Sequence, residues 1–283
     1  NHGLVNAFNN DPQSGTSTID TLYSKNQEDA TQNNGVDVNL NYHSDKLNIN
    51  ISNRMTYRNQ KLTDSYRDID LARNFWQNNL NANISYRISN SKSVNLGYQN
   101  NTNVPSFSQL QPLQPPTNEL YRQLGNPDLK REVNNTLNIN FSKFSLLKAS
   151  SFNVNASTSF TNNAIVNNSI TDSVGRTTAT FVNIQDHVNW NGRVNVNYGK
   201  PIFNGLVQFG PFAMVYFSNN YEYINGELNN SKNANANLGI NANKQNSKII
   251  DFNVNLGIGL NNEANTIQTQ LNNTAFRSSM NAE

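Results

Sequence analysis

The sequence predicts an all-β protein: an antiparallel meander of about ten strands forming part of a transmembrane β-barrel, as a curved open sheet or partial barrel. Three observations carry this. Apolar residues alternate with polar ones from end to end, at the period of two that a strand requires. The polar positions hold amides and hydroxyls rather than charges: asparagine makes up about a fifth of the 283 residues, and Asp, Glu, Lys and Arg together only 14%. Short polar links that each contain lysine take turns with longer or looser ones, as in an outer-membrane barrel with tight turns at one end and loops at the other.

The strands are predicted at roughly 34–43, 46–59, 75–89, 92–101, 132–142, 150–171, 177–198, 205–220, 231–243 and 249–263. Val36, Val38, Leu40 and Tyr42 form the first apolar row; Leu47, Ile49, Ile51, Met55 and Tyr57 form the second, with Asn53 as its exception. Leu80, Ala82, Ile84, Tyr86 and Ile88 face Val94, Leu96 and Tyr98 across the turn "SNSKS" (89–93). The rows continue through Val133, Leu137, Ile139 and Phe141, then Phe152, Val154, Ala156 and Phe160, then Val188, Trp190, Val194, Val196 and Tyr198. The last two are Ala234, Ala236, Leu238, Ile240 and Ala242, and Phe252, Val254, Leu256, Ile258 and Leu260. No helical period competes, and the interleaved asparagines are weak helix formers. The short links are "HSDK" (43–46), "SNSKS", "SKFSLLKAS" (142–150), "GKPIFNG" (199–205) and "KQNSK" (244–248). The longer ones fall near 9–33, 60–74, 101–131, 172–176 and 221–231, the fourth being a tight "DSVGR" between two unusually long strands.

Membrane lipid explains the two unlike faces. The outer face of a soluble sandwich meets bulk water and is rich in lysine and glutamate, which also block edge pairing. A barrel instead turns its apolar row to acyl chains and its amide row to a wet or plugged interior. Strands of about 9–11 residues cross the hydrocarbon when tilted. Aromatics near strand ends, including Trp76, Tyr86, Tyr98, Phe141 and Tyr198, suit the interfacial girdles. The longest apolar run, "PFAMVYF" (211–217), is strand-sized and far short of a membrane-spanning helix.

Other classes find little support. The formal net charge of +2 gives no electrostatic case for nucleic acid. With no cysteine, disulfides and thiolate metal sites are excluded. His2, His43 and His187 are far apart and lack metal-ligand spacing, and "QDH" (185–187) reads as a polar cluster on a strand. No nucleophile elbow, phosphate loop or dinucleotide fingerprint is present, so the chain is expected to be no enzyme and to carry no cofactor or metal. "LGIGL" (256–260) reads as glycines facing a lumen.

One segment carries family information. Residues 103–141 hold Pro105, Pro112, Pro115 and Pro116, which forbid a central strand, and the turn Gly125-Asn126-Pro127-Asp128. "VPSFSQL" followed by "GNPDLKRE" resembles the barrel of TonB-dependent outer-membrane receptors, in which a "PS…L" element ends one strand and "GNP-x-L-x-PE" precedes the next. Arg131 stands where that pattern has proline. "FVNIQDHVNWNGRVNVNYG" (181–199) is similar to the family's following strand, and the specific likeness spans about 92–199. It is closest to the C-terminal barrel region of such receptors, in the outer-membrane protein β-barrel family.

The resemblance implies a Gram-negative outer-membrane location and uptake of a siderophore, glycan or peptide through a 22-stranded barrel around a plug. Pro105, Ser106, Leu110, Gly125, Asn126, Pro127, Leu129 and Glu132 would be the motif of an extracellular loop, with a structural role. Phe107, Gln109, Glu119, Tyr121 and Arg122 of the same loop are the candidate ligand contacts. No plug or TonB-box segment is evident, and the sequence closes on "RSSMNAE" rather than a terminal aromatic. The expectation is therefore that residues 1–283 are one partial barrel domain. Its partners would be outer-membrane lipid, the absent plug and remaining strands, TonB through the absent part, and a surface lipoprotein. The alternatives are a structural or adhesive surface protein and a passive porin.

Overall fold

The computed structural model describes residues 2–6, 8–10, 16–20, 24–66, 68–111, 120–244, 250–267 and 269–282. Three short strands come first: β1 (His2–Val5), β2 (Phe8–Asn10) and β3 (Ser17–Ile19). β4 (Lys25–His43), β5 (Leu47–Asp64), β6 (Ile69–Ser89) and β7 (Lys92–Asn103) follow as a run of hairpins. The helix α1 (Phe107–Leu110) and β8 (Tyr121–Leu124) lie between β7 and β9 (Glu132–Ser145). Then come β10 (Ser150–Asn162), β11 (Ile165–Thr171), β12 (Thr177–Asn183), β13 (Val188–Ile202), β14 (Val207–Ile224), β15 (Glu227–Lys244) and β16 (Phe252–Asn265). A 3₁₀ turn (Thr269–Leu271) and β17 (Asn273–Ala282) close the order.

Eleven long strands, β4, β5, β6, β7, β9, β10, β13, β14, β15, β16 and β17, pair antiparallel in sequence into one wall, with β1 on the upper part of β4. The sheet is curved and open, since the described residues of β4 and β17 do not meet. The register keeps like with like. One row reads Ile51, Ala82, Tyr98, Leu137 and Thr158; the next reads Ile49, Ile84, Leu96, Ile139, Ala156, Val194, Val215, Ala236 and Leu260. The alternate row is Asn48, Ser85, Asn95, Asn140, Asn155 and Asn195. A one-residue slip anywhere would put asparagine among the leucines, so the pattern itself fixes the pairing.

Among the described residues nothing covers the apolar face: Val36 is 67% exposed, Ile258 64% and Leu238 54%. On this face Phe152 pairs Tyr198 near one end, and Phe160 pairs Trp190 near the other. Trp190 packs at 5.1 Å from Phe217, and Trp76 at 5.0 Å from Tyr57. The two aromatic levels on β10 and β13 are eight positions apart. That is about 26 Å along a strand, or roughly 20 Å once a 35–45° tilt is allowed for, close to the apolar band of an outer-membrane barrel.

Several boundaries differ from the sequence expectation. The span expected as one strand over 150–171 breaks at Asn163-Ala164, and that over 177–198 breaks at 184–187. Asn163 (φ 53°) and Asp186 (φ 59°) turn the chain in the left-handed region, which Asn and Asp tolerate better than other side chains. β10 then pairs β13 directly, and β11 with β12 forms a separate hairpin at the loop end. The expected loops 60–74 and 221–231 are mostly strand. β5 and β6 run to within four residues of each other, and β14 joins β15 through Asn225 (φ 50°) and Gly226 (φ 84°) alone. The end asymmetry is therefore one of strand overhang as much as of loop length. β17 was not expected, because its stretch "NTAFRSSMNA" alternates only weakly.

Candidate functional site

The polar face and its loop end form the candidate site. Asparagines dominate because each amide supplies both donor and acceptor to its cross-strand neighbours. Asn41 bonds Asn50 and Asn140 bonds Asn155. Ser93 and Ser142 hydroxyls meet at 2.8 Å. Charges are sparse: Arg54 holds Asp37 in a two-point ion pair at 2.6 and 2.9 Å, and Arg58 Nε donates to Asn33 Oδ1 at 2.8 Å. A hollow of about 320 Å³ lies among Asn83, Asn138, Asn140, Asn155, Arg193 and Asn195. A second, of about 410 Å³, lies among Asp37, Arg54, Asn81 and Gln99. This surface can hydrogen-bond a polar ligand or polypeptide. Among the described residues no group of His, Cys, Asp or Glu is placed to hold a metal.

At the loop end the segment after β7 folds over the same face. Ser106 caps α1: its Oγ accepts Gln109 N at 3.4 Å, and Gln109 Oε1 accepts Ser106 N at 2.9 Å. This reciprocal cap explains how four residues hold a helical turn. Leu110 and Leu129 are fully buried, as is Leu62 on the wall, and Pro105 is buried too. The wall grips the segment by backbone: Gln60 donates to Pro105 O at 3.4 Å and Arg73 to Leu129 O at 3.4 Å, while the buried Gln77 ties β6 to the end of β7 by donating to Thr102 O at 2.8 Å. Gly125 N donates to Gln111 O at 2.9 Å, and Asn126 N to Gln109 O at 2.6 Å. A Cβ on Gly125 would stand 2.2 Å from Gln111 O and 2.8 Å from Gln109 O, so only glycine fits.

The segment is also tied to the β11–β12 hairpin. β8 pairs β12 in parallel, Tyr121 opposite Thr177 through Leu124 opposite Thr180. Asn126 Nδ2 donates to Phe181 O at 3.0 Å. Asn183 accepts Lys130 N at 2.7 Å and donates to Lys130 O at 3.1 Å and Asn163 O at 2.8 Å. Glu132 accepts from Ile165 N and from Asn103 Nδ2, both at 3.1 Å. The hairpin tip is closed by Asp172, whose carboxylate takes Arg176 N at 2.9 Å and Val174 N at 3.0 Å. These bonds, with the Arg176 guanidinium, hold the Asp172 carboxyl below its usual range. Its contribution is therefore present at neutral pH and fades as acid protonates it. Asn229, almost fully buried, pins the β16–β17 link by accepting Thr266 N at 3.1 Å and Ile267 N at 3.0 Å.

Each motif residue thus has a place. Pro105, Leu110 and Leu129 are buried, Ser106 caps, Gly125 and Asn126 lock the turn, Pro127 sits half-buried in it, and Glu132 bridges to β11. The candidate ligand contacts are less free than a surface loop implies. Gln109 is engaged in the helix cap, and Tyr121 and Arg122 lie in β8, Arg122 exposed. Phe107 is half-buried; Glu119, like Pro112, Pro115 and Pro116, lies outside the described residues. None of the four described ones, Phe107, Gln109, Tyr121 and Arg122, lines either hollow of the wall. Sequence reasoning missed the Asn126–Asn183 clamp and the buried Gln60 and Gln77, whose only trace is amides like every other. Asn183→Ala is expected to raise deuterium exchange in both 120–131 and 177–183 together, with a loss of about 1–2 kcal/mol of local stability. A change confined to one segment would show that the two are not one unit.

The model of a family described as "Outer membrane protein beta-barrel family" matches residues 5–282. Among solved structures, the crystal structure of the siderophore receptor PirA from Pseudomonas aeruginosa is similar, at 12% sequence identity and a TM-score of 0.41. The match covers 92% of this chain and 58% of that one, so this chain spans a little over half of that receptor's length. No curated protein matches.

Proposed function

This chain belongs to the outer membrane protein beta-barrel family, and on that premise we propose that its residues are about half the wall of a TonB-dependent receptor that takes up a siderophore, glycan or peptide across the outer membrane. The observation that carries the reading is the open wall of eleven long strands, bare of cover on its apolar face among the described residues. Unpaired strand edges are untenable in lipid, so such a wall functions only when further strands close it. Twenty-two-stranded outer-membrane transporters have a plugged lumen, and eleven strands is half that number. The ordered loop-end segment, tied to both wall and hairpin, supports a receptor over an open pore. In this reading residues 1–283 form one partial barrel domain, the loop end faces outward and the turn end faces the periplasm. The plug, the remaining strands and the TonB contact lie in other parts of the protein, and a surface lipoprotein delivers the ligand.

The test is genetic. Cells lacking the protein are grown on limiting chelated iron, oligosaccharide or peptide, beside cells lacking TonB. The expected result is a growth defect on one of these that loss of TonB reproduces. Uptake that survives loss of TonB would favour a passive porin. Normal uptake with lost surface attachment would favour an adhesive role.

A further inference from the structure

On the apolar face at the turn end, Lys92 stands directly opposite Lys143. Both have the outward parity of their strand neighbours Val94 and Phe141, and both are exposed. Like charges directly opposite are unfavourable in an antiparallel pair. Among the described residues their row holds no carboxylate: it runs Ser89, Lys92, Lys143, Phe152, Tyr198. Lys200 opposite Phe209 and Lys244 opposite Phe252 repeat the arrangement further round the wall. The turns that follow Lys143 and Lys200 expose apolar side chains, Leu147 completely and Leu146 to 84%, Phe203 to 71% and Leu206 to 61%. Water hydrates the ammonium groups but leaves these apolar side chains without cover.

We propose that Lys92 and Lys143 clamp the phosphate of an anionic phospholipid in the leaflet at the turn end, the first site of a lysine belt that continues through Lys200 and Lys244. The inference rests on the barrel reading above. The headgroup layer meets both needs at once. Lysine stems lie along the apolar face while the ammonium groups reach outward to phosphate. The bare leucines and phenylalanine of the turns enter the boundary between acyl chain and headgroup, as in an interfacial anchor. The acyl chains of the bound lipid then run along Val94 and Phe141. Free phosphate would meet the same two charges but leave that apolar row uncovered, which is why the occupant is a lipid.

The experiment uses the protein extracted from outer membranes in mild detergent and delipidated. Phosphatidylglycerol or phosphatidylcholine of identical acyl chains is titrated in, and bound lipid is counted by native mass spectrometry. Phosphatidylglycerol is expected to bind more tightly, and K92Q/K143Q to weaken it about tenfold or more while leaving phosphatidylcholine unchanged. K92R/K143R keeps the affinity, and K232Q, an exposed lysine at the loop end, changes nothing. Should the double variant fail to fold, K143Q alone must still weaken phosphatidylglycerol. Equal binding of the two lipids by the unaltered protein, unchanged binding by the variants, or displacement by inorganic phosphate as effective as by phosphatidylglycerol would each overturn the proposal. Failure of the barrel reading shows separately and earlier, as absence of the protein from the outer-membrane fraction.

Discussion

Replacing Gly125 by alanine unseats residues 104–111 and 120–131 from the wall and costs about 3 kcal/mol or more. The added Cβ meets backbone on every side: Gln111 O at 2.2 Å, Gln111 N at 2.7 Å and Gln109 O at 2.8 Å. These atoms cannot swing away as a side chain would, because Gln109 and Gln111 belong to the capped turn and bond Asn126 and Gly125. Relief requires opening that turn, which exposes Leu110 and Leu129, both fully buried. Limited proteolysis should cut the variant within this segment while the paired strands stay protected. Leu129→Ala is the milder companion, at about 2–5 kcal/mol. A Gly125→Ala protein as protease-resistant as its parent would mean that the turn relaxes in a way its backbone bonds do not suggest.

The wall was legible in the sequence because one physical rule, alternation between lipid and a wet interior, sets every second residue. Leu80 to Tyr98 shows this: Ala82, Ile84, Tyr86, Val94, Leu96 and Tyr98 fall on the lipid face, in the expected hairpin, and Ile88 lies in a bulge between Arg87 and Ser89. Strand ends were less legible. At 60–74 and 221–231 the apolar rhythm fades, yet hydrogen bonding continues, because above the membrane a strand no longer needs a greasy face. The breaks at Asn163 and Asp186 were hidden for the opposite reason. Ile165, Val166 and Val182 keep strand-like chemistry, and only the left-handed residues that flank them turn the chain. The motif "GNP" pointed to the loop-end segment, but its partners Gln60 and Asn183 are amides among some seventy others and carry no local mark.

Ile139 and Asn138 are chain neighbours on opposite faces, and a lysine at each separates the lipid reading from any other. Ile139 lies level with Ala156 and Val194, midway between the two aromatic levels on β10 and β13. Ile139→Lys therefore places an ammonium near the centre of the apolar band, at a cost of about 2–4 kcal/mol. Asn138→Lys points into the polar face, where Asn138 borders a hollow and faces Gly97 and Ser157. It should stay within about 0.5 kcal/mol of the parent, as exposed polar substitutions do. Urea unfolding in lipid vesicles measures both. In a two-layered soluble protein the apolar row would be buried against a second sheet, but here Ile139 is 41% exposed with no protein above it. A large cost at Ile139 therefore needs a hydrocarbon to account for it. Equal costs at the two positions would remove the distinction between faces on which the membrane assignment of this sheet depends.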